Sequence, residues 1–194
     1  MADAVLETPR LAVTDGGGRS KVLTVCRVGF IGGAERVALA AAQAAAEDGR
    51  GAVLACPPGA LADEARKCGI RVRTAAISSG KPPGGSGLGW PAAVQAMLRS
   101  SDAVLEIARE ERPGLLHAHH PVGAVQAGKA HAQLRIPLIL HVHETLPTPP
   151  QYRLFGPWLK RRCDRFVCVS QAGEALVRRL GVEETRITRI YNAV

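Results

Sequence analysis

The sequence predicts an α/β fold: one Rossmann-like, doubly wound and mainly parallel sheet with helices on both faces. Two observations carry this. From Lys21 onward, short runs rich in Val, Ile and Leu alternate with longer helical patterns, as strands buried on both faces do when helices join them. Glycines that suit helix ends, Gly49, Gly69 and Gly181, punctuate the alternation.

Taken in order, the apolar runs place strands over Lys21–Val28, Gly51–Cys56, Arg71–Ile77, Gly114–His119, Pro137–Val142 and Arg165–Val169, with a short last one over Arg186–Tyr191. Helical patterns cover Ala34–Glu47, Leu61–Lys67, Pro91–Glu111, Val122–Gln133, Tyr152–Arg162 and Gln171–Leu180. Ser78 to Gly89 reads SSGKPPGGSGLG, has no periodicity and predicts a mobile surface loop. Residues 1–20 read as a poorly ordered extension and residues 21–194 as one domain, a size that buries a substantial core.

Composition narrows the function classes. No apolar run approaches the roughly 18 residues of a membrane-spanning helix. Asp3, Glu7 and Asp15 interrupt any secretory-signal pattern, so a cytoplasmic protein is expected. Five cysteines without a C-x-x-C pair read as reduced, buried thiols. A net charge of +8 favours an anionic partner. Nucleic acid is the poorer candidate, because the cations are dispersed and no recognition-helix, finger or RNA-sheet motif is present.

Ligands of open α/β sheets collect outside the carboxyl ends of the strands. At the first such end stands Val28-Gly29-Phe30-Ile31-Gly32-Gly33-Ala34-Glu35-Arg36. Glycines there let a phosphate approach the backbone, and the positive end of the following helix favours an anion. A tight strand-to-helix turn explains the glycine pair equally well, and Glu35 suits the helix start in either case. The dinucleotide pattern G-x-G-x-x-G fails at Ile31 and Ala34, and the second strand runs into Cys56-Pro57-Pro58 instead of a ribose-binding acid. A P-loop fails for want of a Lys-Ser or Lys-Thr pair.

All six histidines fall between His117 and His143, four of them as H-x-H pairs at strand ends, His117/His119 and His141/His143. Residues two apart on a strand share a face, and the later member of each pair lies nearer the crevice, so His119 and His143 are the better site candidates. For His117, His131 and His141 a core role with hydrogen bonds to backbone carbonyls is expected. A metallohydrolase pattern H-x-H-x-D-H fails at Pro121 and Val122, although Glu144 could supply a carboxylate to a His-liganded metal site.

Together these residues resemble the N-terminal domain of retaining glycosyltransferase family 4, whose members adopt the two-lobed GT-B fold. The resemblance rests on Gly32-Gly33-Ala34-Glu35-Arg36, Leu115-Leu116-His117-Ala118-His119, Leu140-His141-Val142-His143-Glu144, Phe166-Val167-Cys168-Val169-Ser170 and Ile190-Tyr191-Asn192-Ala193-Val194. It implies sugar transfer, of hexosyltransferase type, from a nucleotide-diphosphate sugar to an acceptor hydroxyl with retention. Gly32 and Gly33 would face the donor diphosphate, and His143 would lie at the donor sugar and reacting centre as the catalytic group. Glu35 and Arg36 would shape the acceptor pocket, completed by His119 and Glu144. Ser170 and Asn192 match family positions without an assigned role. No cofactor and no metal are expected.

The resemblance also implies a C-terminal donor-binding domain, absent from this chain, without which little transfer is expected. A carbohydrate or lipid-linked acceptor is implied; Tyr152 to Arg162, mixing aromatics and cations, would suit peripheral contact with the inner membrane surface. The same segment reads as a core-packed helix with a solvated basic end. A noncatalytic or partner-dependent interaction domain, a basic nucleic-acid-binding module and a His-liganded metal hydrolase are the competing classes.

Overall fold

The computed structural model describes residues 20–77, 90–143 and 150–192. Seven strands form one fully parallel sheet among these residues: β1 (Val22–Val25), β2 (Ala52–Cys56), β3 (Arg71–Thr74), β4 (Leu115–Ala118), β5 (Leu138–Val142), β6 (Arg165–Cys168) and β7 (Ile187–Arg189). Their order is β3-β2-β1-β4-β5-β6-β7. Between them run α1 (Gly33–Glu47), α2 (Ala60–Lys67), α3 (Trp90–Glu111), α4 (Pro121–Leu134), α5 (Pro150–Arg162) and α6 (Gln171–Arg179). The sequence alternation therefore translates element by element into the doubly wound fold. The loop expected at Ser78–Gly89 and the extension at 1–20 lie outside the described residues, apart from Ser20.

Strands end earlier than the apolar runs do, because their last residues leave the ladder for the ligand-side loops. Ile77, for example, donates its N–H to the Ala75 carbonyl at 2.8 Å, a three-residue turn beyond the end of β3. Gly49, Gly69 and Gly181 sit beyond α1, α2 and α6 at φ +73°, +74° and +76°, the left-handed stop that glycine adopts without a Cβ penalty. Two other helices stop without glycine. Arg112 (φ +48°) follows α3 and Arg135 (φ +55°) follows α4, each with a proline one or two residues later. Proline cannot continue the helix, so it enforces the stop that glycine makes easy elsewhere.

Two cores lie on opposite faces of the sheet. On one, Leu23, Val25, Leu116, Ala118, Leu138, Leu140 and Phe166 pack beneath residues of α3 to α6, including Val104, Ala127, Leu159 and Leu176. On the other, Leu54, Cys56 and Cys26 pack beneath Ala38 and Ala42 of α1 and Leu61, Ala62 and Ala65 of α2. The thiols of Cys26, Cys56, Cys163 and Cys168 are buried and free, as expected of reduced core cysteines, and Cys68 is half-buried and free. Burial raises the Cys56 thiol to about 11 and the Cys163 thiol to about 12, so neither is a nucleophile at neutral pH.

The aromatic and basic segment takes its core-packed form. Tyr152 and Leu159 of α5 are fully buried, and Phe155 and Trp158 pack against the same core. Arg153, Lys160, Arg161 and Arg162 face solvent. No helix among the described residues is long and apolar enough to cross a membrane.

Far from the ligand side, Glu111 at the end of α3 ties three elements together. Its side chain is 2% exposed and pairs with Lys21 at 3.1 Å, Arg71 at 2.9 Å and Arg73 at 2.8 Å. Burial opposes its ionisation, but hydrogen bonds from Arg73 and Lys21 prevail and hold the carboxyl below the usual range.

Candidate functional site

The strand order reverses direction between β1 and β4, which pair side by side from Val22↔Leu115 to Val25↔Ala118. Helix α1 leaves β1 toward one face and α4 leaves β4 toward the other. A crevice opens between two such departing loops at the carboxyl ends. The glycine turn follows β1 and His119 follows β4, so the structure brings the two principal sequence motifs to one crevice.

The glycine turn is clasped from behind. A Cβ on Gly29 would overlap the Pro58 carbonyl oxygen, and one on Gly59, whose φ is +147°, would lie 2.6 Å from the Gly29 oxygen. Leu61 donates its N–H to that oxygen at 2.9 Å. Gly32 then caps α1 in extended conformation (φ −108°, ψ −168°). Its N–H is held by the Glu35 carboxylate at 3.2 Å, so Glu35 caps the helix start. A Cβ on Gly32 would meet that carboxylate oxygen at 2.8 Å.

Gly33 differs from both. It is exposed, its φ is not positive, and a Cβ there would meet nothing within 4 Å. The first bond across the helix start runs from the Arg36 N–H to the Gly32 carbonyl at 3.1 Å. Helix geometry leaves the N–H groups of the residues before Arg36 without partners in the helix. A tight turn thus accounts for Gly29 and Gly59, but not for Gly33.

The histidines converge more closely than their spacing suggests. His117 Nε2 lies 3.2 Å from His141 Nδ1, and His119 Nδ1 lies 3.0 Å from His143 Nε2. The His117 and His141 rings stack at 16° with centroids 5.3 Å apart, and those of His141 and His143 at 15° and 4.5 Å. The core role expected for His131 is present, its Nδ1 lying 2.9 Å from the Ile136 carbonyl oxygen. For His117 and His141 that expectation needs correction: they pair with each other, because adjacent parallel strands put both rings on one sheet face.

That face is the one α1 and α2 cover over the other half of the sheet, since Thr24, level with His117, is level also with Leu54 of the α1/α2 core. Burial is the leading cause that lowers every member of the group. It brings His117 to about 3, His141 and His143 to about 4, and His119 well below its usual value. All four are neutral at pH 7, able to hydrogen-bond a hydroxyl or lend a lone pair.

His120, which the sequence reading did not single out, caps α4: its Nδ1 accepts the Val122 N–H at 3.1 Å, with Pro121 at the first helical position. A polar residue directly before proline at a helix start was the available signal. Ser170 has the same task for α6, accepting from the Gly173 N–H at 3.1 Å. Arg36 and Asn192 are exposed, and Glu144 lies outside the described residues. Sequence reasoning also missed the joining of the two histidine pairs, although consecutive strands of a parallel sheet are commonly neighbours.

A parallel sheet in Rossmann order, a glycine-bearing helix start and polar strand ends meeting at the reversal point define the N-terminal, Rossmann-like half of a GT-B fold. A profile of Glycosyltransferase Family 4 matches residues 31–194, and the chain belongs to that family. No curated protein matches the sequence. Among solved structures, the chain resembles Anabaena HepE in complex with UDP-glucose, with a TM-score of 0.69 and 21% identity over 91% of this chain and 44% of that one. It also resembles a glycosyltransferase from Rickettsia africae, with a TM-score of 0.70 and 18% identity over 91% of this chain and 44% of that one. UDP-N-acetylglucosamine 2-epimerase from Rickettsia bellii aligns at a TM-score of 0.58 and 13% identity, over 88% and 44%. The chain therefore spans less than half the length of these relatives in fold, and the fold by itself houses epimerases as well as transferases.

Proposed function

We propose that this chain is the acceptor-side lobe of a retaining glycosyltransferase that moves a hexose from a nucleotide-diphosphate donor to a carbohydrate or lipid-linked hydroxyl. The observation that carries the reading is Gly33, a glycine that neither backbone conformation nor packing requires. A helix start without a side chain, with outward N–H groups, is suited to a diphosphate oxygen arriving from across the crevice.

The transfer needs no protein nucleophile in this reading. Charge stabilisation of the departing diphosphate and close placement of the acceptor supply the rate. Gly33 contributes to the first, with Gly32 holding Glu35 in place behind it. His143, neutral and half-buried, hydrogen-bonds a sugar hydroxyl at the reacting centre without adding charge. His119 fixes the His143 ring through their 3.0 Å contact, and Glu35, Arg36 and Glu144 border the acceptor. The remaining donor contacts come from a second lobe facing the carboxyl ends of β1 and β4, so this lobe alone transfers little. The exposed cations of α5 favour a cytoplasmic protein meeting an anionic lipid surface peripherally.

The test is transfer by the two-lobed protein from a panel of nucleotide sugars, with the anomeric configuration of the product read by NMR. His143→Ala should abolish transfer while leaving the fold intact. An inverted product, or full activity of His143→Ala, overturns the assignment. Free sugar epimerisation without transfer would identify the epimerase chemistry that the same fold supports elsewhere.

A further inference from the structure

We propose that His117, His119 and His141 form a binding site for one borderline transition-metal ion, of the Zn2+ class, at the carboxyl ends of β4 and β5. One ring nitrogen from each of the three lies within 4.8 Å of the others. Nitrogen ligands of a tetrahedral zinc ion stand about 3.3 Å apart, so rotations that move ring atoms by roughly 1.5 Å or less complete the set. The scaffold is stiff: His117 belongs to β4, His119 follows it directly, and His141 lies in the adjoining β5.

The second observation is a pair of buried atoms. His119 is 4% exposed and His141 7%, and Nε2 of each is buried without a hydrogen-bond partner. A buried polar atom left unsatisfied is costly, and native folds leave few of them. A cation accepting both lone pairs removes that cost.

A neighbouring ring sets one tautomer for it. When His119 donates Nδ1–H to His143 Nε2, its own Nε2 carries the lone pair; His117 and His141 each ligate through Nε2 with the proton on Nδ1, which requires the rotation that opens their 3.2 Å contact. Metal-bound histidines usually donate their second ring N–H in this way, and His143 supplies the partner for His119. Imidazole nitrogens select zinc, nickel or copper over magnesium or calcium. Three protein ligands leave a fourth position for water or an anionic oxygen. The site shares His119 and His143 with the transfer reading, which contains no metal step, so its test reads zinc binding and not transfer.

The test uses tag-free protein and Zn2+ alone, followed by calorimetry and thermal unfolding, with Co2+ as a spectroscopic probe. One ion per chain is expected, with a rise in the unfolding temperature and a tetrahedral Co2+ visible spectrum lacking the near-ultraviolet thiolate bands of cysteine ligation. His119→Ala and His141→Ala should each lose stoichiometric binding. His143→Ala should weaken it about 10- to 100-fold, the effect of removing an outer partner. His131→Gln, outside the cluster, should change nothing. Should either alanine variant unfold, X-ray absorption of the zinc-loaded wild type decides, with three histidine ligands expected. Absence of stoichiometric zinc, thiolate bands, fewer than three histidine ligands, or binding that survives the alanine variants overturns the site.

Discussion

Gly33→Ala separates the demands of the fold from those of a ligand. A Cβ at position 33 meets no atom within 4 Å, and the residue opens α1 without positive φ. Replacing glycine by alanine at such a position stabilises a protein by about 0.4–1 kcal/mol, chiefly by restricting the unfolded chain. For a domain of this size that is a rise of roughly 1–4 °C in Tm. A diphosphate oxygen seated on the helix start meets the new methyl group instead of open space. Loss of one charge-assisted hydrogen bond costs about 1.5–3 kcal/mol, or roughly 10- to 150-fold in Kd. The assay is calorimetric titration of the two-lobed protein with the nucleotide-sugar donor of the proposed reaction, alongside differential scanning calorimetry. A variant with raised Tm and unchanged donor affinity refutes the phosphate assignment, because no folding defect could mask the result.

Three further outcomes follow from the fold. Gly29→Ala should destabilise by about 1–3 kcal/mol in urea unfolding, since its Cβ would overlap the Pro58 carbonyl and the backbone has to give way. His120→Ala should cost about 1 kcal/mol through the lost cap of α4, and His120→Asn should recover most of it, as measured by the same unfolding midpoint. Glu111→Gln should cost about 1–2 kcal/mol at pH 7, less than a fully enclosed pair would, because Lys21, Arg71 and Arg73 are partly hydrated. The Glu111 carboxyl is held below its unfolded value, so its contribution is present above about pH 4.5 and is lost as pH falls beneath it. The acid limb of the stability profile should therefore be shallower in Glu111→Gln than in the wild type.

The site was partly legible before folding. Gly32-Gly33 marked a helix start because glycine pairs and Glu35 are local signals, and the chemistry of helix termini is local too. What the pair served was not legible. Glycine is used for positive φ, for close packing and for ligand access, and coordinates are needed to recognise the first two: Gly59 has the first, Gly29 the second, and Gly33 has neither. Similarly, H-x-H spacing placed each histidine pair on a strand face, yet partners across strands depend on register. Spacing alone therefore points His141 to backbone carbonyls, whereas the register of β4 and β5 brings it to His117.

By itself the sequence determined the element order, the parallel sheet and the helix stops at Gly49, Gly69 and Gly181, because periodicity and backbone preference act within a few residues. Tertiary structure alone decided that β1 and β4 would be neighbours, that the glycine turn would be clasped by the Pro58-Gly59 corner, and that four histidines would share one face. It also decided that Glu111 would gather cations from β3 and from Lys21 just before β1, 38 to 90 residues away. These depend on strand order and register, which are set by burying two apolar faces at once, a condition on the whole chain that no local window contains.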